Sequence, residues 1–350
     1  MGNAFFVVPL LITQNAERHM KELLNYLYEH RTLSREQAKN VLLEIGHGQH
    51  SATQIASFLT VFILRNITVE ELEGFRDAML ELCIRVDLSE YDAIDIVGTG
   101  GDGKNTFNIS TLSSFVVAGA GYKVSKHGNY GVSSGCGSSN VLEHLGVVFS
   151  NKQDELKRDL DQAGFCMMHA PLFHPAMKHV GPIRKEMQVR TFFNILGPMI
   201  NPSFPKYQCL GVFNLEIGRL YGYLYQQSDK NYKIIHSLDG YDEVSLTSPS
   251  KVISNTGETM LEPADFGFKT LKQSDLHGGE TVESSAKIFI EILSGQGNLK
   301  QNAAVLANSA LAIQTIESGK TLKECVAIAK ESLESGKAKK VLTTLQDLHK

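Results

Sequence analysis

The sequence predicts a small N-terminal α-helical domain followed by a larger α/β domain with a central, mainly parallel sheet. Three observations carry this. Between residues 20 and 85, apolar positions recur at helical spacing behind capping-box signatures. From Asp92 the pattern changes to short β-rich runs separated by glycine-dense loops and helical stretches. Two proline clusters, Pro171, Pro175 and Pro182, then Pro198, Pro202 and Pro205, bracket a helical stretch around residues 175 to 195 that interrupts this alternation. With 350 residues, of which 42% are hydrophobic and 21% charged, the chain is too long for one typical core and suits two. No internal repeat is visible.

The elements follow in order. Met1 to Ile12 is apolar but has no basic leading region and no small-residue cleavage site before Gln14, so residues 1–13 read as an N-terminal extension, not a signal peptide. Phe6 stands where a myristoylation signal would want Ser or Thr. The helical domain occupies residues 14–88. Its helices are announced by Ser34 with Gln37, Ser51 with Gln54, and Thr68 with Glu71, each a cap residue followed three positions on by an amide or carboxylate. The boundary falls near Val86 to Tyr91, where composition changes.

The run from Asp95 to Thr111 places Gly98, Gly100, Gly101 and Gly103 between a strand pattern and a helix pattern. Glycines let backbone N–H groups approach an oxyanion, and the helix brings the positive end of its dipole to the same point. A GxGxxG is present, but the ribose-binding acid expected about 20 residues on is missing, since no acidic residue occurs between Asp102 and Glu143. A Walker loop also fails, because Asn105 follows Lys104 where Ser or Thr is wanted. A phosphorylated small molecule is the expected ligand; a glycine-rich turn without a ligand is the bland alternative.

A second strand, glycine loop and helix unit runs from Tyr122 to Leu145 and includes Lys126, His127, Gly128, Asn129, Ser133, Ser134 and Ser138. Successive units of this kind put both loops at one end of a parallel sheet. Lys126 and the serines supply donors to oxyanions, although Ser133 and Ser134 on their own read as helix caps. Further on, Tyr207 to Phe213 and Tyr232 to His236 read as strands, with a helix from 215 to 228 between them. The second strand runs into Asp239-Gly240-Tyr241-Asp242-Glu243, whose adjacent carboxylates suit a hard cation such as Mg²⁺ or, without the loops, merely a solvated turn.

Other classes are disfavoured. The net charge of −4 offers nucleic acid no general attraction, and no apolar run reaches the roughly 18 residues needed to span a bilayer. His169, His174 and His179, spaced by five with prolines among them, share no helical face and make a poor zinc set. The five cysteines show neither CxxC spacing nor a compact framework, which suits free thiols in the cytoplasm.

Four segments in this order, the two loops, His174 to Pro202, and Asp239 to Glu243, resemble the anthranilate phosphoribosyltransferase family, and the resemblance runs from about Leu23 to the last helix. It implies a helical domain completed by an insert at about 173–200, and a large domain made of 89–172 and 201–350, in the fold class shared with pyrimidine nucleoside phosphorylases. It implies phosphoribosyl transfer from phosphoribosyl pyrophosphate to the amine of anthranilate, with two Mg²⁺ ions, in a homodimer joined through the helical domain. By position it assigns Gly98, Gly101, Asp102, Thr106, Asn108, Ile109, Ser110, Thr111, Lys126, His127, Gly128, Asn129, Ser133, Ser134 and Ser138 to the phosphoribosyl donor. Gly98, Asn129 and Arg184, with His127 and His174, fall to anthranilate, and Ser110, Asp242 and Glu243 to metal. No residue is expected as a dedicated acid or base, because an aromatic amine is already neutral and nucleophilic at pH 7. The crossing segments between the domains are expected to act as hinges.

Two positions depart from the family pattern: Tyr130 stands where Arg is usual, and Asn140 where Asp is usual. Lys104 is the cation at hand to compensate. A pyrimidine nucleoside phosphorylase would share the loops but need no acidic pair, and a nucleic-acid-binding relative on the same fold would want a basic face.

Overall fold

The computed structural model describes residues 7–131 and 135–350, with side chains of the first helix described from Arg18 onward. Ser133 and Ser134 therefore lie outside the described residues. The chain forms two compact units, one of residues 1–85 and 173–200, the other of residues 86–172 and 201–350. Among the described residues no helix is long and apolar enough to cross a membrane.

The first unit is helical. Its first helix, Val7–Tyr28, already includes much of the apolar start that the sequence set apart as an extension. Helices Arg35–Gly46, Ala52–Leu64 and Val69–Leu82 each begin with the expected reciprocal capping box. Glu71 does more than cap. Fully buried, it takes both guanidinium nitrogens of Arg65 at 2.6 and 2.9 Å and the Leu33 N–H at 2.9 Å, so its charge is paired on every side. The insert supplies helix Met177–Met187, which packs on Arg35–Gly46 and Ala52–Leu64. Phe192 stacks on Phe75 at 4.3 Å and meets Phe58 and Phe62 edge-on, so residues distant in sequence close one aromatic core.

The second unit holds a seven-stranded sheet of order β3-β2-β1-β4-β5-β6-β7. The strands are β1 (Ile94–Gly98), β2 (Val124–Gly128), β3 (Phe165–His169), β4 (Tyr207–Gly211), β5 (Asn231–Ser237), β6 (Ser250–Ser254) and β7 (Gly257–Leu261). The first five are parallel, and β6 and β7 add an antiparallel edge that the sequence reading did not assign. Helices Ile109–Gly119 and Leu299–Ile316 pack on the parallel strands, and Leu215–Gln226 packs on β5 and β6. Phe115 anchors this core, stacked on Phe165 at 4.7 Å and edge-on to Phe289 at 5.5 Å.

Strand order reverses between β1 and β4, and the carboxyl ends of parallel strands at such a reversal are where open α/β sheets bind ligands. There Gly98 pairs with Gly211. Neither has room for a side chain, because Asp242 passes directly over both. The return of the chain from the insert is fixed from inside the sheet: Asn201 Nδ2 donates to Asp95 Oδ2 and to Ser125 O, both at 2.9 Å.

Candidate active site

The first loop leaves β1 with Gly100, Gly101 and Gly103 all at positive φ, a backbone path open to glycine and strained for other residues. This turn aims Gly100 N–H at Asp242 Oδ2 (2.7 Å). Lys104 N–H closes the turn on Asp102 Oδ1 at 2.9 Å, and the Lys104 ammonium lies 4.7 Å from the centre of the Tyr241 ring. At the start of the next helix, Ser110 N–H donates to Glu243 Oε1 at 2.9 Å, placing a carboxylate at the positive end of the helix dipole. The acidic turn is thus held by the loop and by the helix that follows it.

Desolvation dominates the electrostatics. Asp242, 8% exposed, has its pKa pushed up to about 7, first by burial and then by the negative Asp102 alongside. Burial raises Asp102 as well, against the pull of the Lys104 N–H, and raises Glu243 well above the usual carboxylate range, helped by Asp242 and Asp102. Lys126, 2% exposed, is pushed down to about 8 by burial, while Asp95, Glu243 and Asp242 oppose the shift. Its ammonium donates to Ile96 O, so this lysine, expected as a phosphate contact, is turned into the sheet as a counter-charge to the acids.

Crowded carboxylates of this kind fit a divalent cation, which would supply the charge their burial lacks. Among the described residues no three His, Cys, Asp or Glu side chains form a closed metal set. Mg²⁺ favours one or two carboxylates with the remaining positions left to substrate phosphates and water, and Asp242 and Glu243 offer two.

The second loop is organised by Asn140, whose Oδ1 accepts the N–H groups of Gly131 (2.9 Å) and Gly137 (3.0 Å). The family's usual Asp would bring the same acceptor oxygen, so the departure keeps the loop tied. Asn129 Oδ1 accepts the Tyr130 N–H at 2.8 Å, and Ser138 Oγ donates to Asn129 O at 3.3 Å. Tyr130 cannot replace an arginine's charge. Instead its hydroxyl donates to Glu143 at 3.2 Å and its ring meets His169 edge-on. His127 is buried, and its N–H donates to Asp95 Oδ1 at 3.0 Å. Asn108 Nδ2 donates to Cys136 O at 3.1 Å, which joins the two loops. Thr106 forms an isolated bridge with His277, from a segment the sequence reading overlooked.

In the helical unit, Arg184 lies half-buried over the Phe193 ring at 5.2 Å, and one guanidinium nitrogen donates to Asn194 Oδ1 at 3.2 Å. Its Nε is buried without a hydrogen-bond partner, whereas Lys185 and Arg190 are exposed. His174 is buried in the same unit. The three histidines do not assemble. His169 ends β3 with Nδ1 at 2.8 Å from Ser139 Oγ and its ring stacked on Phe149, while His179 packs beneath Gly48.

Comparisons with known proteins match nearly the whole chain. The glycosyl transferase family's helical bundle domain matches residues 21–83, and its a/b domain matches residues 90–339. The anthranilate phosphoribosyltransferase of Flavobacterium johnsoniae is 60% identical over 94% of this chain and 99% of its own. That of Christiangramia forsetii is 60% identical with the same coverage. The crystal structure of the Thermus thermophilus enzyme superimposes with a TM-score of 0.84 at 32% identity, covering 93% of this chain and 98% of that one. The Saccharomyces cerevisiae enzyme, in complex with phosphoribosyl pyrophosphate and Mg, gives 0.87 at 29% identity, covering 95% and 98%. Extended over nearly its whole length by relatives of this identity, the chain belongs to the anthranilate phosphoribosyltransferase family.

Proposed function

We infer that this chain transfers the phosphoribosyl group of phosphoribosyl pyrophosphate to the amine of anthranilate, giving N-(5-phosphoribosyl)anthranilate and pyrophosphate, a step of tryptophan biosynthesis. The observation that carries the reading is the double seat of the acidic turn, Asp242 on Gly100 N–H and Glu243 on Ser110 N–H, at the carboxyl ends of the parallel strands.

In the reaction, the amine nitrogen forms a bond to the ribosyl C1 as the bond from C1 to the pyrophosphate oxygen breaks, and the amine proton leaves to solvent. The nucleophile is neutral, so positioning and charge stabilisation carry the rate. Gly98, Gly101, Asp102, Thr106 and the run Asn108 to Thr111 present the first loop to the donor, and His127, Gly128, Asn129 and Ser138 present the second. Asp242 and Glu243, with Ser110, would hold Mg²⁺, expected as two ions, which would supply Lewis-acid neutralisation of the departing diphosphate. Lys126 offsets the carboxylates from within the sheet. Arg184 clamps the anthranilate carboxylate, and its unpaired buried Nε and its rigid seat on Phe193 support that role. Family resemblance assigns Asn129, Gly98 and His127 of the α/β unit and His174 of the helical unit to the acceptor.

The reading extends to a cytoplasmic homodimer. Five free cysteines support a reducing compartment. Ile63 and Leu64, 42% and 82% exposed at the end of one helix of the helical unit, support pairing through that unit. The test is loss of anthranilate fluorescence when the purified chain meets phosphoribosyl pyrophosphate and Mg²⁺; no turnover would reject the assignment.

A further inference from the structure

The segment from Leu276 to Ser285 touches both glycine loops. On the first, Phe107 N–H donates to Leu276 O at 3.2 Å, Gly278 N–H donates to Asn105 O at 2.8 Å, and Thr106 pairs antiparallel with His277. The Asn105 side-chain amide completes the clamp, donating to Gly279 O at 2.9 Å and lying 3.3 Å from His277 Nε2. On the second, a Cβ placed on Gly135 would come within 3.3 Å of Glu280 O. Within the segment, Ser285 Oγ donates to Gly278 O at 2.9 Å, so one hydroxyl ties its two halves.

Local chemistry makes this segment a fixed strap. Gly278 lies flat against the Thr106 and Phe107 backbone with no space for a side chain, and Gly279 turns at φ +85°. The chain then enters helix Val282–Leu293 through a reciprocal box between Thr281 and Ser284. That helix packs on Ser138–His144, the helix after the second loop. The strap is anchored where the second loop ends, and Asn105 fastens its other end to the first loop.

We propose that Asn105 is a positioning residue for the phosphoribosyl donor: by clamping the strap, it holds the first loop, with its Gly101 to Gly103 N–H groups, in register with the second. The proposal rests on the transferase reading. Asn105 is exposed and contributes nothing to the core, so its removal loosens the loop and leaves the fold intact. Anthranilate does not depend on the clamp, and the effect belongs to the donor.

The unsubstituted chain is assayed first, and a lack of turnover there would defeat the transferase reading itself. With turnover established, Asn105→Ala raises KM for phosphoribosyl pyrophosphate about tenfold while KM for anthranilate stays within about twofold, the effect of losing one hydrogen-bonded clamp. Its melting temperature stays within about 2 °C of the parent, as for a surface substitution. Gly278→Ala, which pushes the strap off Thr106, gives the same selective rise, and the double variant is no worse than the weaker-binding single one, because both remove one contact. Should Gly278→Ala fail to fold, the Asn105→Ala measurement decides alone. A donor KM within about twofold of the parent, a parallel rise in both KM values, or fully additive effects would overturn the proposal.

Discussion

Asp242 Oδ2 receives the Gly100 N–H at 2.7 Å across a separation of 142 residues. The contact joins the two features on which the chemistry depends, a loop able to face a diphosphate and a carboxylate able to face its cation. It also explains why Gly98 and Gly211 are glycines: Asp242 reaches the loop by passing over the strand ends they terminate.

The pairing of both acids with backbone donors predicts that their charge can be removed without losing their shape. Changing Asp242→Asn together with Glu243→Gln keeps an oxygen facing Gly100 and Ser110, and lowers kcat/KM by about 100-fold or more with loss of Mg²⁺ dependence. Stability holds or rises, since buried like charges are removed. Unchanged activation in a Mg²⁺ titration would contradict the assignment.

Arg184 offers a fork of donors held by Phe193 and Asn194. Arg184→Ala is expected to raise KM for anthranilate by about tenfold or more while that for phosphoribosyl pyrophosphate moves by less than about twofold. Arg184→Lys restores little, because a point charge cannot reproduce a planar two-pronged contact. Steady-state kinetics with each substrate varied in turn decides this, and a selective loss of donor affinity would remove Arg184 from the acceptor site.

Asp95 gives a pH signature separate from turnover. Burial pushes its pKa up to about 6 from a usual 3.8, against the Asn201 amide, the Lys126 charge and the His127 N–H. Between about pH 4 and 6 the folded chain therefore keeps a proton that the unfolded chain has lost, and this residue's contribution to stability falls as pH rises through that window, by about 3 kcal/mol in all. Asp95→Asn removes the titration. Urea unfolding of parent and variant at about pH 4.5 and 7 should show the parent losing its relative advantage at the higher pH. A difference independent of pH would refute the shift.

Legibility followed distance along the chain. The capping boxes at Ser34, Ser51 and Thr68 were readable because cap and partner are three residues apart, and the structure forms all three. Four of the five parallel strands were announced by apolar runs before glycine loops or helices, and β3 (Phe165–His169) was not assigned. β7 escaped notice because Gly257 to Leu261 is an exposed edge with no apolar alternation, and the Leu276 to Ser285 strap escaped because its bonds are made by irregular backbone. Lys126 shows a further limit. Its charge was plain, but its direction, inward to Ile96 O, depends on strands β1 and β2 lying side by side.

The sequence by itself determined what is short-ranged: where helices start, which turns need glycine torsions, how many charges the chain carries, and which motifs stand in which order. The tertiary structure alone decided that Asp242 meets Gly100, that Glu243 meets Ser110, and that these carboxyls hold their protons at higher pH than usual. A cap depends on neighbours fixed by covalent geometry, whereas a contact across the chain and a shifted pKa arise when folding closes the loop between distant residues and strips water from the groups it brings together.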